Sequence, residues 1–257
     1  MLKKTTLAVL ATAALTAPAA AQDMKFGYIN KMGDHPWFVS EVAGAKAEAE
    51  ARGAELMAQD VQFDANLTIT AMDTMIGDGV AGIAIVVPDR ALGPVVAAKA
   101  EEAGIPLIAV DDDITFEDGS PVPYVGIDAL TIGRQVGAEL ARIAEANGWH
   151  EDWSSVRIGS VEDEKADTCM RRNRGAEEAF LEAFPDFPEE NIVRIPSDHT
   201  RANAIDVVGT ALTANLLAER WIFFSCNDDG VLGSVRATEN AGMDPANVIG
   251  VGIDGSR

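Results

Sequence analysis

The chain has 257 residues, of which 47% are hydrophobic, and its 41 acidic against 20 basic side chains give a formal net charge of −21. That length holds one large domain or two medium ones. A surface so acidic repels phosphate backbones, which argues against DNA or RNA as partners.

The first 21 residues read as a removed secretory signal. Lys3 and Lys4 precede a short apolar run, Leu7 to Leu15, and Ala19-Ala20-Ala21 offers a small-residue cleavage site before Gln22. The run is too short to span a membrane, and no later stretch approaches that length. No cysteine follows it, so no lipoprotein anchor is expected. An exported, soluble, periplasmic protein is the expectation.

From residue 22 the chain alternates short β-branched runs with amphipathic stretches. Candidate strands are Lys25–Asn30, Ala54–Gln59, Gly82–Pro88, Pro106–Asp112 and Tyr124–Ile127, then Ser155–Val161, Asn191–Pro196, Trp221–Cys226 and Val248–Asp254. Segments such as Ala65–Ile76 and Ala91–Ala103 carry apolar residues at helical spacing. Continuous apolar strands alternating with helices predict parallel sheets covered on both faces. Gly53, Gly79 and Gly104 each stand where a helix needs a left-handed cap. The longest helical segment, Asp128–Gly148, divides the pattern into an N-terminal α/β lobe, residues 22–127, and a C-terminal lobe from 128 to 257.

Ligands of open α/β sheets sit beyond the carboxyl ends of the strands. There the chain places Lys31 and Trp37, Pro88–Arg90, Asp111-Asp112-Asp113, Arg171-Arg172, Asn227-Asp228-Asp229 and Asp254. Carboxylates, an amide, a guanidinium and an ammonium suit a ligand rich in hydroxyls, which both donate and accept. An indole suits the apolar C–H face of a sugar ring. Trp37 reads equally as a stacking platform or as a core residue; Phe38 reads as the first buried residue of the helix.

The three consecutive aspartates could also cap a strand or hold a divalent cation, but no second acidic cluster completes a calcium loop, and no metal or cofactor is expected. His35, His150 and His199 lie in no catalytic motif. Asp111 and Asp112, adjacent on a strand, should point to opposite sides rather than face each other as glycosidase carboxyls do. No enzyme is expected.

The stretches "KMGDHPWF", "LIAVDDD", "DTCMRRNRG", "CNDDGVLGSVRATENAG" and "VIGVGIDG" resemble the periplasmic L-arabinose-binding proteins and their relatives, the type I sugar-binding subunits of ABC importers. The resemblance runs from about Lys25 to Gly255. It implies two α/β lobes joined by a hinge and closing over a monosaccharide, with sugar contacts on Lys31, Trp37, Asp111, Asp112, Arg172, Asn227 and Asp254. Asp167 is expected to orient the guanidinium of Arg172.

Departures from the family pattern are His35 in place of a sugar-contacting Glu, Ile127 and Cys226 in place of two pocket methionines, and Asp254 in place of Asn. A hydrogen-bonding site discriminates strongly when a partner changes, so a monosaccharide is better supported than L-arabinose itself. By the same resemblance Cys169 and Cys226 approach the cleft side of the second lobe, where free, half-buried thiols are expected and a disulfide is the alternative. Family members continue beyond the "GIDG" turn, so a second lobe cut short at Arg257 is expected to expose a sheet edge and apolar helix faces, with low stability. The implied partners are a monosaccharide and an inner-membrane ABC permease, to which a monomer delivers its ligand with no membrane insertion. The alternative is a periplasmic sugar sensor serving a chemoreceptor or histidine kinase.

Overall fold

Gly53, Gly79 and Gly104 take φ of 71°, 71° and 66°, so each helix-stop glycine adopts the left-handed conformation that its position requires. The elements they separate belong to a computed structural model that describes residues 24–255; the expected signal segment lies outside the described residues. The first half contains β1 (Lys25–Asn30), α1 (Pro36–Ala51), β2 (Glu55–Asp60), α2 (Ala65–Gly77), β3 (Ile83–Ile85), α3 (Gly93–Ala103), β4 (Leu107–Val110) and β5 (Tyr124–Val125). Its strands form one parallel sheet in the order β2-β1-β3-β4-β5.

The second half contains α4 (Ala129–Ala146), β6 (Val156–Glu162), α5 (Asp167–Ala183), β7 (Ile192–Pro196), α6 (Arg201–Ala214), β8 (Arg220–Ser225), α7 (Asp228–Asn240) and β9 (Val248–Gly250). Its parallel sheet runs β7-β6-β8-β9. Two parallel sheets flanked by helices are the two-lobed fold expected from the alternation of runs. Each sheet has its own core: Ile29, Met72, Met75, Ile83 and Ile85 in the first lobe, and Leu140, Ile158, Phe180, Ile222 and Phe224 in the second. Aromatics dominate the outer end of that second core, where Trp153 meets Phe180, Phe184 and Phe187 at centroid distances of 6.1, 5.1 and 5.0 Å.

Four strands, β3, β4, β5 and β9, end two to four residues before the predicted apolar runs do. Val86 and Val87 stay buried past the end of β3, but Pro88 has no N–H to extend the ladder. β4 ends at Val110 because Asp111 takes φ 61°.

Glycines set the spacing of α4 against α5. A Cβ on Gly133 would lie 2.0 Å from the carbonyl oxygen of Arg172, and one on Gly137 would lie 2.1 Å from that of Ala176. From the other side, a Cβ on Gly175 would lie 2.3 Å from the Leu130 oxygen. The two backbones touch along this seam, which no larger residue allows.

Candidate functional site

The carboxyl ends of both sheets face one cleft, and the lobes meet across it. Thr168, at the start of α5, donates its backbone N–H to Asp112 Oδ1 at 3.0 Å, and its hydroxyl to the carbonyl oxygen of Asp111. Arg171 reaches Asp113 at 3.0 Å, and the Arg90 amide donates to the Lys165 carbonyl at 2.9 Å. Between these contacts lies a small pocket with a cavity volume of about 50 Å³.

Of the residues singled out in the sequence, Lys31, His35, Trp37, Asp111, Asp112, Arg172, Cys226, Asn227 and Asp254 line this pocket. Ile127 does not: it follows β5, half-buried, away from the lining. Met32, Phe38, Thr168 and His199 also line it, unmarked as pocket residues by the sequence pattern, as does Cys169, which the resemblance placed on the cleft side of the second lobe. His199 sits in a loop after β7, at a strand end, which was the available signal.

On the first lobe, Asp112 is wholly buried and paired with the Lys31 ammonium. Asp111 and Asp112 both face the pocket, against the alternation expected of strand neighbours. The reason is that the strand has already ended and Asp111 is left-handed. Asp residues tolerate that conformation, and it commonly marks functional sites. Burial pushes the Asp111 carboxyl above the usual range; the charge of Asp112 adds to this, and Lys31 and Arg172 oppose it.

Trp37 is 40% exposed at the pocket mouth while Phe38 is buried at 6%, so of two adjacent lining aromatics one is open to solvent and the other is also part of the core. The core reading of Trp37 is excluded. His35 caps α1, its Nδ1 accepting the Trp37 amide at 3.2 Å; an imidazole accepting at Nδ1 carries its proton on Nε2 and is there a donor. Trp37 also hydrogen-bonds through its side chain to Glu41, which accepts from the Tyr28 hydroxyl at 3.1 Å. Burial, then the nearby Asp111, push the Glu41 carboxyl up to about 7, against the Tyr28 and Trp37 hydrogen bonds.

On the second lobe, Arg172 donates through Nη1 to the Cys226 carbonyl at 2.5 Å. Asp167 does not orient it as expected; that carboxylate pairs with Arg171 at 2.7 Å. One helical turn explains the difference, because residues four apart share a face. Asn227 caps α7, accepting the Gly230 amide at 2.9 Å and donating to the His199 carbonyl at 3.0 Å, which leaves one of its two amide protons for the pocket. Asp254 accepts the Asp228 amide at 3.3 Å.

Cys169 and Cys226 form a disulfide, which corrects the expectation of free thiols. The first turn of α5 and the end of β8 bring the two residues together on the pocket floor. Among the described residues, Asp111 Oδ1 and Arg172 Nε are two of eight buried side-chain atoms without a hydrogen-bond partner. Buried polar atoms are rarely left so, and these two, one from each lobe, belong to residues lining the same pocket.

Two α/β lobes in hydrogen-bond contact, with polar atoms converging from both sides, define a bilobed solute-binding protein. The chain belongs to the periplasmic binding protein domain family, whose pattern matches residues 26–257. It is a binding protein and not an enzyme. It is 33% identical to the L-arabinose-binding periplasmic protein of Escherichia coli K12 over 98% of this chain and 76% of that protein. It is 31% identical to the ABC transporter L-arabinose-binding periplasmic protein of Azospirillum brasilense, over 99% of this chain and 78% of that one. The crystal structure of a galactofuranose binding protein superposes with a TM-score of 0.70 at 22% identity, covering 88% of this chain and 75% of that one.

Proposed function

We propose that the protein captures a monosaccharide, an L-arabinose-like pentose or related aldose, in the periplasm and delivers it to the permease of an ABC importer. The observation that carries the reading is the pair of buried, unpartnered polar atoms, Asp111 Oδ1 and Arg172 Nε, within a pocket whose mouth bears the Trp37 ring. A sugar hydroxyl donates to the carboxylate, a second accepts from the guanidinium, and the ring's C–H face covers the indole. The names of the relatives at 31% and 33% identity support a sugar as the ligand.

Binding works by closure. Lys31, Trp37 and Asp111 stand on the first lobe, and Arg172 and Asp254 on the second, so the sugar gains its full set of contacts only when the lobes meet. It therefore binds the closed state better and shifts the population toward it. A permease that distinguishes closed from open lobes then receives only the loaded protein.

The test is a thermal-shift and calorimetric titration of the chain with free pentoses, hexoses and polyols. A saturable one-to-one response to one or two aldoses, lost in Arg172→Ala, is the expected result. A folded protein indifferent to every aldose overturns the reading.

A further inference from the structure

The pocket lining holds a group of residues to which the proposed sugar capture assigns no hydrogen bond. One ligand atom from each of Cys169, His199 and Cys226 lies within 4.8 Å of the others, and all three residues are buried. A tetrahedral zinc centre, with Zn–S near 2.3 Å and Zn–N near 2.0–2.1 Å, holds such ligands about 3.5–3.8 Å apart. Small side-chain movements on opening the disulfide close that difference.

The surroundings of His199 strengthen the case. Its Nδ1 lies 2.7 Å from Asp163 Oδ2, with Asp163 itself buried and held by the Lys165 amide at 3.0 Å. A carboxylate beside one imidazole nitrogen is the arrangement found behind histidine ligands of zinc, where the other nitrogen binds the metal. The His199 backbone is fixed as well, at φ 55° with its carbonyl accepting from Asn227. Two sulfurs and one nitrogen leave a fourth position, and because all three residues line the ligand pocket, that position faces the cavity, as in three-ligand zinc sites.

We propose that Cys169, Cys226 and His199 form a binding site for a thiophilic divalent cation of the zinc class, open when the disulfide is reduced and closed when it is formed. A dithiol reductant opens it: two electrons and two protons pass to the cystine, giving two thiols, while the reductant becomes a disulfide. The cation then displaces both thiol protons and binds two thiolates and the neutral imidazole.

The test reduces the whole chain with a phosphine, desalts it without oxygen, and titrates it with cadmium, reading thiolate-to-metal charge-transfer absorption, with zinc as competitor. One cadmium per chain, with the absorption absent from the oxidised protein, is expected. His199→Gln should lose the tight site, and Asp163→Asn, which keeps all three ligands, should weaken it by about 10–100-fold. Circular dichroism reports whether each variant is folded; if His199→Gln is not, Asp163→Asn decides. No charge-transfer absorption from reduced, folded protein overturns the proposal. So does cadmium binding that neither variant weakens, which would indicate adventitious thiol capture.

Discussion

The Thr168 amide of one lobe donates to Asp112 Oδ1 of the other at 3.0 Å, so the carboxylate that neutralises Lys31 also holds the cleft together. Asp112 and Lys31 are 0% and 3% exposed. Removing one partner of a buried pair strands the other charge, at a cost of about 3–5 kcal/mol. Asp112→Ala should therefore lower unfolding free energy by about that amount in urea. The double variant Lys31→Met/Asp112→Leu should recover most of it. A double variant no more stable than the single would show that packing, not charge, is what Asp112 supplies.

Neighbouring aromatics should separate binding from folding. Phe38→Ala empties a core position and should cost about 3–5 kcal/mol of stability. Trp37→Ala should leave stability nearly unchanged and weaken sugar binding by roughly 2- to 12-fold, the worth of one aromatic contact. Calorimetry and denaturant melts on both variants check this, and equal destabilisation by the two would contradict it.

Stability should depend on pH through Glu41. Its carboxyl is raised in the folded state to about 7 from an ordinary value near 4.5. As pH rises past about 4.5 the unfolded chain ionises first, so folding loses stability progressively until about pH 7. Glu41→Gln lacks that loss. The melting temperature of the variant relative to the natural chain should climb between about pH 4.5 and 7 and then level off; a constant offset across that window would rule Glu41 out as the source.

The disulfide closes a span of 57 residues. Chain-entropy arguments give about 4 kcal/mol for a loop of that size, an amount that native strain or residual structure can reduce. Thiol titration of the denatured chain without reductant should find no free thiols. Cys169→Ser/Cys226→Ser should melt lower than the oxidised protein and match the reduced one. Two free thiols would refute the bridge.

Most of the architecture was legible because parallel strands buried on both faces are written as apolar runs, and the glycine stops bounded them. The strand ends were legible to within two residues except at β3 and β9, which stop three and four residues early. Nothing in "VDDD" announces that Asp111 turns left-handed, so strand alternation alone puts its side chain on the wrong side of Asp112. Asp167 pairs with Arg171 and not with Arg172 for a related reason, since proximity in sequence does not say which face of a helix each residue occupies. Glu41 and His199 were missed because each owes its importance to groups distant in sequence: Tyr28 and Asp111 for one, Asp163 and Asn227 for the other.

The glycine seam has a consequence for how specificity can change. Arg172 meets the pocket on one side of α5, while its own carbonyl lies against Gly133 on the other. An extra methyl at Gly133 or Gly137 must push the helix toward the cleft and carry the guanidinium with it. Gly133→Ala should thus alter the relative affinities for different sugars while every residue in contact with the ligand stays the same, as a sugar panel on that variant would read out. The back wall of this protein is therefore a place where recognition can be retuned without touching the surface that does the recognising.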